Sequence, residues 1–293
     1  MDGILLIDKP TDFTSFDVIA KLRGIAHQRK IGHSGTLDPM ATGVLLCLMG
    51  RATRLCDLLL CEDKTYLATV RFGVETDTQD VTGTIVSQND ASLSACALTE
   101  ALDAFRGEIA QTPPMYSAIS VGGRRLYDLA RQGIEVKRPK RDVHIDTLDV
   151  LSYDEETRIG CFEVACSKGT YVRTLFHDLG QHLGVGATLS ALRRTMANGF
   201  AIDDCVTLQQ AETLAADGML ATCLLPVSQA FTSLPRLTVG DWQATMLKNG
   251  VPLCLNKLGI PLPGRYAVYG EDDVFLGLGM VKEDAEGILF KQL

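Results

Sequence analysis

Three short segments carry residue types and spacings that could do chemistry, and each also has a commonplace reading. In Gly32–Gly43 (GHSGTLDPMATG) a lone carboxylate, Asp38, lies in a glycine-bracketed loop flanked by two basic clusters. The proline after it holds Asp38 in extended backbone, and Gly35 permits close backbone approach or positive φ. A turn aspartate that merely caps a neighbouring amide would have the same signature. Lys64-Thr65-Tyr66 opens an alternating stretch in which Tyr66 reads as a strand aromatic. Cys166–Arg173 (CSKGTYVR) runs from a strand end through glycine into a helix, with Thr170 placed to cap it. The free amides at such a helix start suit an anion.

Taken together, and in this order, the segments resemble one family. GHSGTLDPMATGVL, KTYLATVRFGVETDTQD, PPMYSAISVGGRRLYDLARQGIEV and CSKGTYVRTLFHDLGQHLG, with a later ALRR, are similar to the TruB-type tRNA pseudouridine-55 synthases. The similarity runs from LLIDKP at the start to about residue 200 and is looser beyond. It implies an isomerase that detaches a uracil, turns it and rejoins it to the ribose through carbon 5. That reaction has no redox step and no net hydrolysis, so no cofactor and no metal are expected. Asp38 matches the family's nucleophile; carbon 6 of the base and carbon 1′ of the ribose are both electrophiles open to it. Arg173 matches the arginine that pairs with it, which is expected to keep the carboxyl pKa low and fix its rotamer.

The target uridine must leave its stack to be reached. Tyr66 matches the tyrosine that faces the flipped base and takes the proton from carbon 5, directly or through water. Leu192 matches an apolar contact to the uracil, and His33 a histidine that steadies the rearranged T-loop. Tyr171 is expected to buttress the aspartate, and Lys9-Pro10 to shape the nearby loop. The implied partner is the tRNA T-arm stem-loop, bound by a monomer without an obligatory protein partner. A sibling synthase for another RNA site, and a chaperone of the tRNA elbow with secondary catalysis, are the alternative readings.

The charge distribution bears on an RNA partner. The chain has 28 Lys+Arg against 36 Asp+Glu, a formal charge of −8, yet the charges are segregated. Residues 19–54 carry six basic residues against Asp38 alone, and residues 121–141 carry seven against two acids. Residues 57–103 hold nine acids and two bases. Segregation of this kind can give an acidic protein a basic face. The apolar run near the start is too short for a signal peptide or a membrane span, so a cytoplasmic protein is expected. None of the nine cysteines forms a CxxC pair, and Cys56/Cys61 and Cys161/Cys166 are five apart, which is poor zinc geometry on a strand.

The elements that must position these residues read as α+β. The pattern predicts strands at 3–8, 44–49, 66–73, 83–87, 143–153 and 158–167, with 83–87 pairing with 66–73. Helices are predicted at 16–26, with Ser15 as N-cap, and at 51–60, 98–105 and 171–183; residues 32–42 read as a loop. Short connections favour a mixed, mainly antiparallel sheet flanked by helices. Residues 111–141 read as a thumb-like RNA-binding insertion within a catalytic domain of residues 1–234. Residues 235–293, with a helix at 241–248 and strands at 266–269, 275–281 and 288–291, read as a small β-rich, PUA-like RNA-binding module.

Overall fold

The computed structural model describes residues 1–59, 63–254, 263–281 and 287–292. The chain opens with β1 (Gly3–Lys9), α1 (Ser15–Ile25), β2 (Ile31–Ser34) and β3 (Thr42–Met49), followed by a 3₁₀ turn at Gly50–Leu55. β4 (Lys64–Phe72) then precedes a small hairpin, β5 (Val74–Thr76) and β6 (Ile85–Gln88), and α2 (Ala95–Leu102). β7 (Gly107–Gln111) leads to the hairpin β8 (Ser120–Val121) and β9 (Arg124–Arg125) and to α3 (Leu126–Ala130). Next come β10 (Arg141–Asp154), β11 (Ile159–Cys166), α4 (Val172–His182), β12 (Ala187–Ala197), β13 (Phe200–Ala201) and α5 (Leu208–Ala216). β14 (Arg236–Val239), α6 (Asp241–Lys248), β15 (Leu253–Cys254), β16 (Gly264–Gly270), β17 (Phe275–Val281) and β18 (Gly287–Gln292) complete the chain.

A nine-stranded sheet runs β1-β3-β12-β4-β11-β10-β7, with β2 on β3 and β13 on β12. All its pairings are antiparallel except β12 with β3, where Arg193 faces Thr42 and Arg194 faces Gly43. This is the α+β arrangement expected. The parallel junction depends on glycine: a Cβ at Gly43, whose φ is +103°, would lie 2.1 Å from the Arg194 carbonyl oxygen. β1 is apolar almost throughout because both faces are covered. Val18, Ile19, Leu22 and Ala211, from α1 and α5, cover Leu5 and Ile7, whereas Ile4 and Leu6 share a core with Ala267 and Leu278 of the second sheet. On the other half, α2 and α4 pack over β4, β10, β11 and β12, with the Phe162 and Phe176 rings 4.8 Å apart.

Several elements differ from expectation. The N-cap of α1 is Thr14, in a reciprocal capping box with Asp17, and Ser15 is the first helical residue. Its hydroxyl is used elsewhere: it accepts from the Leu37 amide at 2.9 Å and faces the Leu37 carbonyl at 3.2 Å. The predicted loop 32–42 begins inside β2, because Gly32, His33 and Ser34 pair with β3 despite their weak strand preference. The strand at 83–87 becomes β6 and pairs with β5, since positive φ at Gly73 turns the chain out of β4 first. The helix at 51–60 is a 3₁₀ turn that ends at Leu55, with Leu60 outside the described residues; so is Cys61 of the Cys56/Cys61 pair. β2, β7, β12, α5, β14 and β15 were not expected. A second sheet, β14-β16-β17-β18-β15, adds two strands to the three foreseen near the C-terminus.

The segment 111–141 leaves and rejoins the sheet at one point, since Gln111 and Arg141 are paired across β7 and β10. Between them it forms the β8–β9 hairpin and α3, an excursion carried by one edge of the sheet. Among the described residues no helix is long and apolar enough to cross a membrane, and no group of His, Cys, Asp or Glu could hold a metal ion.

Candidate active site

The loop between β2 and β3 carries Asp38, and its shape is set by groups far away in sequence. Ser15 bonds the backbone of Leu37 from one side. From the other, the fully buried Lys9 donates to the carbonyls of Pro10 at 2.9 Å, Phe13 at 2.5 Å and Pro39 at 3.1 Å. Burial lowers the Lys9 pKa to about 8, with Asp38 pulling the other way. Lys9 thus acts on loop shape, as its motif implied.

Arg173, in the first turn of α4, reaches Asp38 from 135 residues away. Its Nη2 lies 3.3 Å from Oδ1 and 3.2 Å from Oδ2 of Asp38, and its own side chain is only 5% exposed. Nη2 also donates to the Tyr116 carbonyl at 2.6 Å and Nη1 to the Thr78 carbonyl at 3.4 Å. A second carboxylate, Asp80, sits 3.7 Å from Nη1 and is equally buried. Asp80 is fixed by Thr78 and by the amide and hydroxyl of Thr82. It was not foreseen: in DTQDVTG it looks like one more turn residue, and only folding brings it beneath the arginine.

The Asp38 carboxyl is pushed above the usual carboxylate range, opposite to the direction expected. Burial is the largest cause and Asp80 adds to it, while Arg173 and Lys9 pull downward. The side chain keeps 39% of its surface open to the cavity, so water there tempers the rise. Arg173 therefore holds the rotamer but does not outweigh desolvation.

Facing this loop is a wall of sheet. Tyr66 on β4 is 7% exposed, and burial raises its phenol pKa against an opposing pull from Arg194. Leu192 and Arg194 stand two apart on β12, with Arg194 directly across from Tyr66 and Leu192 across from Ala68. The two walls enclose a cavity of ≈370 Å³ lined by Asp38, Tyr66, Tyr171, Arg173, Leu192 and Arg194 among others. The N-cap position of α4 is Tyr171, without a side-chain cap bond, and not Thr170 as expected, whose hydroxyl donates to the Ser167 carbonyl. The Tyr171 amide and carbonyl bond the side chain of buried Gln111 at 3.0 and 3.3 Å, and its ring lies 5.9 Å from the Arg173 guanidinium.

His33 stands apart from that group. It lines a neighbouring cavity of ≈460 Å³ with Phe16, Tyr116, Tyr127 and Arg131, which Asp38 and Arg173 also border. Burial, then Arg194, lowers the His33 pKa, which favours the neutral ring. Arg194 was missed as a site residue because in Leu192-Arg193-Arg194 nothing but strand alternation separates the two arginines. Arg193 points the other way and forms a two-pronged pair with Asp8 at 3.1 and 2.8 Å.

A cavity with a carboxylate, an arginine and a buried tyrosine can hold and attack a planar base. Comparison with known proteins gives it a family. The model of the TruB family pseudouridylate synthase N-terminal domain matches residues 23–172, and that of the tRNA pseudouridylate synthase B C-terminal domain matches residues 173–232. A tRNA pseudouridine synthase B of Geobacillus kaustophilus is 43% identical, covering 92% of this chain and 96% of that one. One from Clostridium kluyveri is 41% identical over 97% and 96%. Among solved structures, a chain of a Cbf5–Nop10–Gar1 complex superposes with a TM-score of 0.78 at 26% identity, over 99% of this chain and 84% of that one. This chain belongs to the TruB family of pseudouridylate synthases, and it is an isomerase.

Proposed function

We propose that this isomerase converts the T-loop uridine at position 55 of tRNA to pseudouridine, with Asp38 as nucleophile. The observation that carries the reading is the meeting of Asp38 with Arg173 at 3.2 Å on one wall of a base-sized cavity, opposite Tyr66 and Leu192. Names of relatives such as the Geobacillus protein support tRNA as the substrate.

In this reading the flipped uracil lies between Leu192 and Tyr66, and the ionised Asp38, aimed by Arg173, attacks an electrophilic carbon of the nucleoside. The bond between nitrogen 1 and the ribose breaks, the base turns and carbon 5 takes the ribose. Carbon 5 must then lose its hydrogen while nitrogen 1 gains one. Tyr66 can accept that hydrogen only as phenolate, its own proton having gone to nitrogen 1 directly or through water. The electron pair left on carbon 5 restores the double bond. Asp38 leaves as carboxylate in this step if it is bonded to carbon 6, and already when carbon 5 takes the ribose if it is bonded to carbon 1′. Tyr171 supports the Arg173 side of the cavity, and His33, in the adjoining cavity, serves the rearranged loop.

Residues 111–141, whose Ser117 and Ala118 border both cavities, are assigned as the thumb that closes on the RNA hairpin. Residues 1–234 are assigned as the catalytic domain and 235–293 as an accessory RNA-binding module.

The test uses tRNA transcripts carrying tritium at carbon 5 of uridine. Wild-type protein should release tritium from a normal transcript and none from one with cytidine at position 55. Release from the latter would remove the position assignment. Asp38→Asn should bind tRNA and release nothing; substantial turnover would remove Asp38 from its role.

A further inference from the structure

Among the described residues Arg194 is the largest fully buried side chain, 1% exposed, and no carboxylate pairs with it. An arginine cannot shed its charge to relieve this, so an unpaired guanidinium in the interior needs a reason. Its hydrogen bonds are to carbonyls: Nε to Val44 at 2.7 Å and Nη2 to Gly35 at 3.0 Å. These two bonds tie β12 to β3 and to the loop that carries Asp38. They also fix the planar group at the cavity wall, where a Cβ on Gly35 would come within 3.3 Å of Nη1.

The strand register then selects what the charge faces. Tyr66 and Arg194 are directly opposed on β4 and β12, so both side chains project from one face of the sheet, and both line the ≈370 Å³ cavity. We propose that Arg194 is a positioning residue for Tyr66: its unpaired charge is the counter-ion of the Tyr66 phenolate during removal of the carbon 5 hydrogen. This rests on the proton-transfer role assigned to Tyr66 above. The balance is simple. The phenol gives its proton to nitrogen 1, the phenolate waits beside Arg194, and the hydrogen from carbon 5 restores the phenol. The direction of Arg194's effect on the phenol, downward against burial, agrees.

The experiment measures single-turnover tritium release and tRNA affinity against pH for wild type, Tyr66→Phe, Arg194→Gln and both together. Arg194→Gln should slow release by about 100-fold, the lower end of what proton transfer contributes. Its rate should climb as pH rises where the wild-type rate is flat, because alkali replaces the lost counter-ion in forming phenolate. Affinity for tRNA should be unchanged, and Arg194→Lys, which keeps the charge, should recover part of the loss. In the Tyr66→Phe background Arg194→Gln should cost little more. Equal cost in both backgrounds, or a wild-type pH profile, overturns the inference. A Tyr66→Phe protein at full speed instead overturns the role of Tyr66 itself. If Arg194→Gln lacks a cooperative melt, Arg194→Lys carries the same test through the double variant: its smaller loss should vanish in the Tyr66→Phe background, and an equal loss in both backgrounds overturns the proposal.

Discussion

The two walls of the cavity each bury an arginine, but they hold it differently. On the loop-and-helix wall, Arg173 lies between two carboxylates, Asp38 and Asp80, contributed by segments 135 and 93 residues distant in sequence. On the sheet wall, Arg194 has carbonyl partners and no carboxylate among the described residues. The first wall is a balanced network assembled from a loop, a turn and a helix start, with each part held by the others. The second is built on three hydrogen-bonded strands whose register is set by backbone pairing, with Arg194 tying it to the Asp38 loop through the Gly35 carbonyl. Removing a charge should therefore leave buried carboxylates without a cation on the first wall, and on the second act chiefly on the chemistry at Tyr66.

The sharpest way to break that contrast is Arg173→Met. It leaves two carboxylates facing each other and Asp38 without its aim. Tritium release should fall by about 10³-fold, the upper range for removing one preorganised donor. The melting temperature should fall as well, because Asp80 stays buried without its cation. Arg173→Lys should be only a partial repair, since one ammonium cannot span both carboxylates. A Met variant with unchanged melting and a small rate loss would show that the network is not what aims Asp38.

A smaller effect comes from Asp38 itself. Its carboxyl pKa is raised in the fold, chiefly by burial, so the folded state holds its proton more tightly than the unfolded chain. The stability this confers is present at acid pH and is lost as pH rises through the folded pKa. Asp38→Asn should accordingly melt at the same temperature as wild type at acid pH and higher at neutral pH. Activity should move the opposite way in wild type: kcat/KM should increase with pH through an acid limb above the ordinary carboxylate range. Thermal melts and pH–rate profiles on the same samples check both. A neutral-pH melt lower for Asn than for wild type would mean that the pair with Arg173 outweighs desolvation.

How much of this was legible in the sequence follows the same division. The Asp38 loop announced itself through Gly35 and Pro39, because backbone constraints leave their mark in residue type. Arg173 was legible as the end of KGTYVR. β1, β3, β10 and β11 could be read from apolar runs and alternation, since their faces are covered. Asp80 and Arg194 were not read as parts of the site. The role of Asp80 depends on where a polar turn is delivered by Gly73, and that of Arg194 on the parallel junction at Gly43, which is a tertiary fact. The pKa direction of Asp38 was missed for a similar reason: a pairing can be inferred from sequence, but the desolvation that opposes it depends on packed volume. Ser15 was assigned a cap because caps are local, yet Thr14 takes that role and Ser15 serves a loop 22 residues away.

That last reassignment gives the smallest prediction and the cleanest comparison between the walls. Ser15 is 2% exposed and its hydroxyl is the partner of both the Leu37 amide and the Leu37 carbonyl. Ser15→Ala removes those bonds and leaves α1 intact, since Thr14 and Asp17 still close the capping box. An unsatisfied buried donor costs about 1–3 kcal/mol, so the unfolding free energy from denaturant melts should drop by that order. The loop carrying Asp38 should loosen while Tyr66 and Arg194 keep their places on the sheet. Release should slow only a few-fold, with tRNA affinity unchanged and the pH dependence retained, because neither the nucleophile nor the phenol has changed its surroundings greatly. If Ser15→Ala altered the pH profile as Arg194→Gln is expected to, the walls would not be independent, and the sheet would take its geometry from the loop.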